Sequence, residues 1–433
     1  ALRLLGAGLV ALSVVLAGRI GALAVPRGHA SIWTPILTAG TAALFLVNPL
    51  FGAMEINGEL IAVTLVLLST ERVLHARAAT TPRSATWILF TAGAAAAAAV
   101  LVKQNEVDAL VLTAVLAIGT ARHRGVAFAG REVAAVVAGA VVCVSLVLAH
   151  ALTLGTTLPG LWEAVVTFRI DASAVINSSA SPATSARLVN VLASLAISGA
   201  PAIVVLFALR LRRRAAPGGM DLRPPALALL GWESVSVVAG GSYWLHYLLV
   251  LLPGLVLAVA AVCASTSKAV DVPPVRSPRP VPASLLAVLG YATVASLVAI
   301  GVLGARPSTF GGGDLVASWL SAHTRRGDTA VIAYGHPNIL QASGLSSPYP
   351  ELWSLPVKVR DPHLAELTSL LASSSRPDWV VTTGAGLDAW GIDASTASAA
   401  LSAHYGDVAV VDGSHVFHQL TPLNAATDAA PVP

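Results

Sequence analysis

Long apolar runs, each close to the ~20 residues that a helix needs to cross a bilayer, recur from Leu2 to Gly304. Lipid offers no water to unpaired peptide groups, so such runs fold as helices packed side by side. The rest of the composition agrees: 55% of residues are hydrophobic and only 11% charged, against roughly 25% charge in soluble domains. The fold class expected is therefore a polytopic α-helical membrane protein. About ten spans are predicted, near 2–18, 32–50, 59–74, 85–102, 107–121, 132–154, 188–209, 225–240, 243–264 and 283–304. Cys143 and Cys263 both sit inside apolar runs and read as small core residues, with neither a disulfide nor a metal site implied.

The connections between spans alternate in charge. One set carries Arg19 and Arg27; Arg72, Arg77 and Arg83; Arg122, Arg124 and Arg131; Arg210, Arg212, Arg213, Arg214 and Arg223; and Lys268, Arg276 and Arg279. The other set holds only Arg3, Lys103, Arg169, Arg187 and Arg306. Basic loops stay in the cytoplasm, so the first set is expected inside and the second outside. The short segment 225–240 contains Glu233, yet it must cross if the basic loops on either side of the 225–264 pair are to share one face. The net charge of +4 is thus explained by loop asymmetry, and no nucleic-acid patch is implied. The first run has Arg3 in front of it, as a signal peptide would, but ends in Arg19 and Arg27 without a small-residue cleavage pattern and reads as a span. The same count starts the chain outside, which leads to the expectation that an N-terminal span and a first outer loop precede Ala1.

The pattern changes from Ser308. Gly311-Gly312-Gly313 reads as a joint, and residues 308–421 as an extracytoplasmic α/β domain. Helices are expected at 314–324, 363–373 and 396–405, and strands at 329–334, 379–382, 408–411 and 416–420. Residues 422–433 read as a disordered tail. No glycine loop suited to phosphates sits at a strand–helix junction.

Ionisable groups near membrane depth are costly, and they cluster where a protein has work for them. Four clusters stand at the outer ends of spans. Glu55 and Glu59, flanking Asn57, present two carboxylates at a helix start. They fit a divalent cation or a cationic group, or else simply complement the helix dipole. Lys103-Gln104-Asn105-Glu106, with Asp108 beyond, forms a short outer turn whose lysine could meet a phosphate or snorkel to the interface. Arg169 and Asp171 lie in the long outer loop 155–186, either as a phosphate clamp or as a surface ion pair. Tyr243-Trp244-Leu245-His246-Tyr247 opens the ninth span. Its aromatics suit an interfacial belt, while His246 suits a phosphate or a metal, and Glu233 is placed to share the same cavity.

The order NGE at 57–59, KQN at 103–105, FRID at 168–171 and HYLLVLLP at 246–253 resembles the polyprenol-dependent glycosyltransferases of the GT-C superfamily. Nearest is the bacterial family-39-like branch, related to protein O-mannosyltransferases and aminoarabinose transferases. Ser347-Pro348-Tyr349-Pro350, Leu352-Trp353-Ser354 and Val359-Arg360-Asp361 resemble the outer domain of actinobacterial members, and the high Ala, Val and Arg usage agrees with such a source.

The resemblance implies a multi-pass plasma-membrane enzyme of the cell envelope. It would move a hexose or pentose from a polyprenyl-phosphate donor to a glycan, lipid or protein acceptor, with membrane lipids and no nucleic acid among its partners. It makes Lys103, Arg169 and His246 donor-phosphate residues. Glu55 and Glu59 become an accessory acidic position with a possible divalent cation, and Asn57, Gln104, Asp171, Glu233, Tyr243 and Tyr247 become further polar groups of the cavity. It places the general base on a first outer loop that has no matching position here, so no catalytic residue is assignable and this stretch alone is expected to be inactive. A transporter or lipid flippase, or a non-catalytic partner in cell-wall assembly, are the other readings.

The sidedness can be checked directly. With Cys143 and Cys263 replaced by alanine, an impermeant maleimide should label a cysteine at Ser375 in intact cells and leave one at Arg214 unlabelled until the cells are broken. The reverse pattern would overturn the orientation.

Overall fold

The computed structural model describes residues 2–25, 32–178, 182–212, 220–264, 282–305, 313–383 and 386–420. The order begins α1 (Leu2–Ala24), α2 (Trp33–Leu46), α3 (Gly58–Ala78), α4 (Pro82–Val102), α5 (Asp108–Arg124) and α6 (Val126–Thr153). Next come α7 (Leu158–Trp162), α8 (Phe168–Ser178), α9 (Pro182–Ile197), α10 (Ala200–Arg210) and α11 (Arg223–Ala239). A 3-10 helix, Leu245–Leu251, leads into α12 (Leu252–Ala264), and α13 (Ala283–Gly304) follows. The C-terminal part runs α14 (Asp314–His323), β1 (Ala330–Ala333), α15 (Pro337–Ser343), α16 (Ser354–Arg360), α17 (Ala365–Ala372), β2 (Trp379–Thr383), α18 (Ser395–His404), β3 (Tyr405–Val411) and β4 (Ser414–Gln419). The chain divides into two compact units. One is Ala1–Leu158 with Ala180–Arg306, and the other is Pro159–Ser179 with Pro307–Pro433.

The first unit is a helical bundle, and it marks the protein as membrane-embedded. Five of its helical segments are long and apolar enough to cross a membrane: α1, α4, α6, Leu245–Ala264 and α13. A sixth is gained if α9 and α10 form one bent span. Their 58° bend falls at Ser198 and Gly199. There Gly199 adopts a left-handed φ of 86°, and Pro201 starts the next helix without an N–H to give. The remaining expected spans are helical but do not meet that length and apolarity. α2 has 14 residues and α5 and α11 have 17 each. α3 carries Glu59, Glu71, Arg72 and Arg77 along its length. The count of about ten crossings therefore exceeds what the helices show on their own.

The core of this unit forms around α12, in which every residue from Leu252 to Val262 is buried. Elsewhere the helices close through small residues, as expected where packing rather than hydrophobicity brings helices together. α4 and α6 meet through a reciprocal pair. A Cβ on Gly93 would collide with the Val136 carbonyl, and one on Gly139 with the Phe90 carbonyl. Gly21 does the same for α1 against Thr34 and Thr38 of α2.

Several arginines expected in the basic loops are tied into the bundle. The buried carboxylate of Glu71 accepts from Arg19 Nε of α1 at 2.9 Å and forms an ion pair with Arg72 at 3.1 Å, with His75 3.7 Å away. Arg77 of α3 donates to Glu132 of α6 at 2.9 Å and to Thr120 of α5 at 2.6 Å. Arg27, Arg213, Arg214, Lys268, Arg276, Arg279 and Arg306 lie outside the described residues.

In the second unit the four strands order β1-β2-β4-β3, with β1 parallel to β2 and the other pairs antiparallel. The parallel pair requires a crossover, which α15, α16 and α17 supply. Alternation along the strands splits the core by face. Ala330, Ile332, Trp379 and Val381 pack with Val316 and Leu320 of α14. Val331, Ala333 and Val380 pack with Leu367 and Leu371 of α17 and Leu401 of α18. This is the layered α/β arrangement expected from the sequence, with boundaries moved by a few residues and with α15 and α16 added. Pro159–Ser179, part of the long loop assigned to the membrane region, belongs to this unit, where the Arg360 guanidinium lies 5.1 Å over the Phe168 ring. Gly311, Gly312 and the tail 422–433 lie outside the described residues.

The glycine contacts generate a paired prediction. Gly139→Leu should lower stability by about 1–3 kcal/mol through overpacking of α4 against α6. Gly130→Ala, on the same helix with open space at its Cβ, should leave stability unchanged or raise it by up to about 1 kcal/mol through helix propensity. Thermal unfolding in detergent reads both, and equal melting temperatures for the two variants would contradict the close approach.

Candidate functional site

At one end of the bundle the start of α3, the end of α4, the start of α5, the second half of α11 and the 3-10 helix converge. Asn57 caps α3, its side-chain oxygen accepting from the Leu60 N–H at 3.0 Å, and this fixes where the helix begins. Glu59 then falls in the first turn and is buried at 4% exposure, so its charge needs a partner. It has two. Lys103, at the end of α4, donates to Glu59 Oε1, and His246 Nε2 stands 3.4 Å from the same oxygen. The Lys103 ammonium also lies 4.3 Å over the Tyr247 ring.

His246 is placed by a close approach. Gly52, at φ 67°, sits against the backbone of Leu245 and His246, where a Cβ would collide and where only glycine takes that φ without strain. The segment before His246 is strained and anchored. Tyr243 holds a left-handed φ of 51°, which costs on the order of 1 kcal/mol or more in a non-glycine residue. Arg187 of α9 donates to the Ser242 carbonyl at 2.8 Å, and its guanidinium lies 4.8 Å over the Trp244 ring.

A second group lies alongside. Asn105 donates its amide to the Ser236 hydroxyl, and Trp232 donates to the Asn105 carbonyl at 3.1 Å. Glu233, fully buried, accepts from the Gly254 N–H at 2.7 Å. A Cβ at Gly254 would collide with that carboxyl, so residue 254 must be small. Glu106 and Asp108 are also fully buried. Neither Glu106 oxygen has a hydrogen-bond partner among the described residues, whereas the Asp108 carboxyl faces that of Glu233 and shares a hydrogen bond with it. Burial, with the Asp108 charge close by, pushes the Glu106 carboxyl up to about 8.

Of the residues singled out in the sequence, Asn57, Glu59, Lys103, Glu233, His246 and Tyr247 are thus brought together, with Tyr243 on the strained link. Gln104 is exposed on the α4–α5 turn. Glu55 is exposed and lines a separate cavity of about 210 Å³ with Arg3 and Ile56. Arg169 and Asp171 belong to the second unit, on α8, where both are exposed and no ion pair joins them among the described residues. No group of three His, Cys, Asp or Glu side chains converges to hold a metal among the described residues.

Sequence reading missed Ser236 and Gly254 as parts of this site. Ser236 lies three residues after Glu233, on the same helical face, and that spacing was the available signal. No protein-family model and no curated protein matches the chain.

Chemically, the site offers a cation, Lys103, and an imidazole, His246, that face one buried carboxylate. An incoming anion would compete with Glu59 for both. The ion pair itself can be tested. Lys103→Ala leaves Glu59 buried and short of its cation, and should cost about 3 kcal/mol or more. In a Glu59→Gln background the same substitution should cost far less, so a double-mutant cycle read by thermal unfolding should show clear coupling. Additive effects would mean that the two side chains do not interact.

Proposed function

We propose that this protein is a membrane glycosyltransferase that moves a sugar from a polyprenyl-phosphate donor to a cell-envelope acceptor. The observation behind this reading is the convergence of NGE at 57–59, KQN at 103–105 and the start of HYLLVLLP at 246–253 on one node, though they lie up to 190 residues apart in the chain. In this reading the bundle crosses the plasma membrane about ten times, the basic connections face the cytoplasm, and the C-terminal α/β unit lies outside.

The donor phosphate would bind Lys103 and His246, replacing the Glu59 carboxylate as their partner. Those donors would then stabilise the phosphate as the bond from the sugar C1 to the phosphate oxygen breaks and its electron pair stays with the phosphate. The acceptor hydroxyl oxygen would form the new bond to C1 and lose its proton to a base. Glu59 would hold Lys103 in position before the donor arrives, and it is not assigned as that base.

A second reading is favoured by the three buried carboxyls Glu106, Asp108 and Glu233. Uncompensated acids inside a helical bundle suit an ion-coupled transporter or flippase.

The full-length protein in native membranes, given radiolabelled polyprenyl-phosphate sugars, should transfer label to envelope material. Lys103→Ala and His246→Ala should each reduce that transfer about a hundredfold per mole of folded protein, with Lys103→Ala also assayed in the Glu59→Gln background, where the loss of the ion pair no longer destabilises the fold. Transfer at the parental rate in both variants would overturn the site assignment. Absence of any transfer, together with proton-dependent lipid movement that Glu106→Gln abolishes, would establish the transporter reading instead.

A further inference from the structure

At the opposite end of the bundle from Glu59, the last turns of α3 and α5 and the start of α11 enclose a cleft of about 510 Å³. We propose that it binds an anionic phospholipid, with the lipid phosphate on Arg122 and Arg124. The proposal is independent of the glycosyltransferase reading.

The charges around the cleft do not cancel. Arg77 is balanced by Glu132, and Asp221 is taken up by the fork of Arg223, whose Nε and Nη2 donate to its two oxygens at 2.7 Å each. Arg122 and Arg124 are exposed and have no carboxylate partner among the described residues, and Arg124 is steadied by the Phe128 ring at 5.4 Å. Arg77 adds a buried Nε donor without a hydrogen-bond partner. The cleft therefore holds an excess of positive charge and an orphaned donor, which together call for an anion with oxygen acceptors.

The walls favour a lipid as the carrier of that anion. Val115, Ile118, Gly119 and Arg122 fall on one face of α5 at intervals of three and four, so the lining passes from apolar to cationic within two turns. Ile118 stays 53% exposed on this face. A free phosphate would use only the arginines and leave the apolar wall in water. An acyl chain with its headgroup matches both parts. Basic pockets between helices are a general mode of headgroup recognition.

Gly119 supplies the means of testing the cavity apart from its charge. A Cβ there meets nothing, so Gly119→Leu fills the cleft without displacing backbone. The full chain, purified in a neutral detergent, would be titrated with phosphatidylglycerol or phosphatidylcholine of matched chains, and bound lipid counted by native mass spectrometry. Phosphatidylglycerol should bind tighter than phosphatidylcholine by roughly tenfold or more. The double variant Arg122→Gln/Arg124→Gln should lose that preference, and Gly119→Leu should lose it with its melting temperature unchanged. Arg325→Gln/Arg326→Gln, which removes the same charge from the other unit, should keep it. Loss of the preference in that control would reveal bulk charge alone and overturn the proposal, as would a preference that survives in the cleft variants. Displacement of phosphatidylglycerol by millimolar inorganic phosphate would assign the site to the free anion and overturn the lipid.

Discussion

The Glu59 carboxylate is the point on which this end of the bundle depends. It is buried within the protein, and a bare charge there would be untenable. Lys103 and His246 must therefore come to it, and with them the end of α4 and the 3-10 helix. Once His246 is fixed, Gly52 has to be a glycine, and Tyr243 is forced into an unfavourable backbone conformation. The candidate site is thus the consequence of one buried charge and the chain segments it recruits.

The bundle repeats this logic at its other end with different partners. Glu71 gathers Arg19, Arg72 and His75, and Glu132 takes Arg77. Arginines that a loop-charge count treats as interchangeable therefore divide into two kinds. Arg19 and Arg77 hold helices together, whereas Arg122 and Arg124 remain open to a ligand. Between the two ends, contact is made by small residues and by α12, whose apolar surface is covered on every side. Glu233 is the exception within that core, and its bond to the Gly254 amide shows how a carboxyl is accommodated there.

Much of this was legible beforehand, though unevenly. The helical segments were readable because apolar length is a property of consecutive residues. Crossing was less so: α2, α5 and α11 are short, and whether they span depends on neighbours that shield their ends. In the C-terminal unit the strands at 329–334 and 379–382 were readable from β-branched runs, since alternate residues must face two layers. α15 and α16 were not, because seven-residue helices carry too little periodicity. Among site residues, Lys103 and His246 stood out as polar groups beside apolar runs. Arg169 and Asp171 stood out equally, yet they lie in the other unit, on a helix whose pattern gives no sign of its packing partner.

The sequence by itself determined that the first unit is a helical bundle for lipid and that a layered α/β unit follows. Both are fixed by local hydrophobic period and by where charge is tolerated. Only the tertiary structure decided which charges meet. Pairing Glu59 with Lys103 and His246, or Asp108 with Glu233 while Glu106 is left without a partner, depends on how helices distant in the chain pack. That packing is set by close approaches at a few glycines, which no linear pattern records.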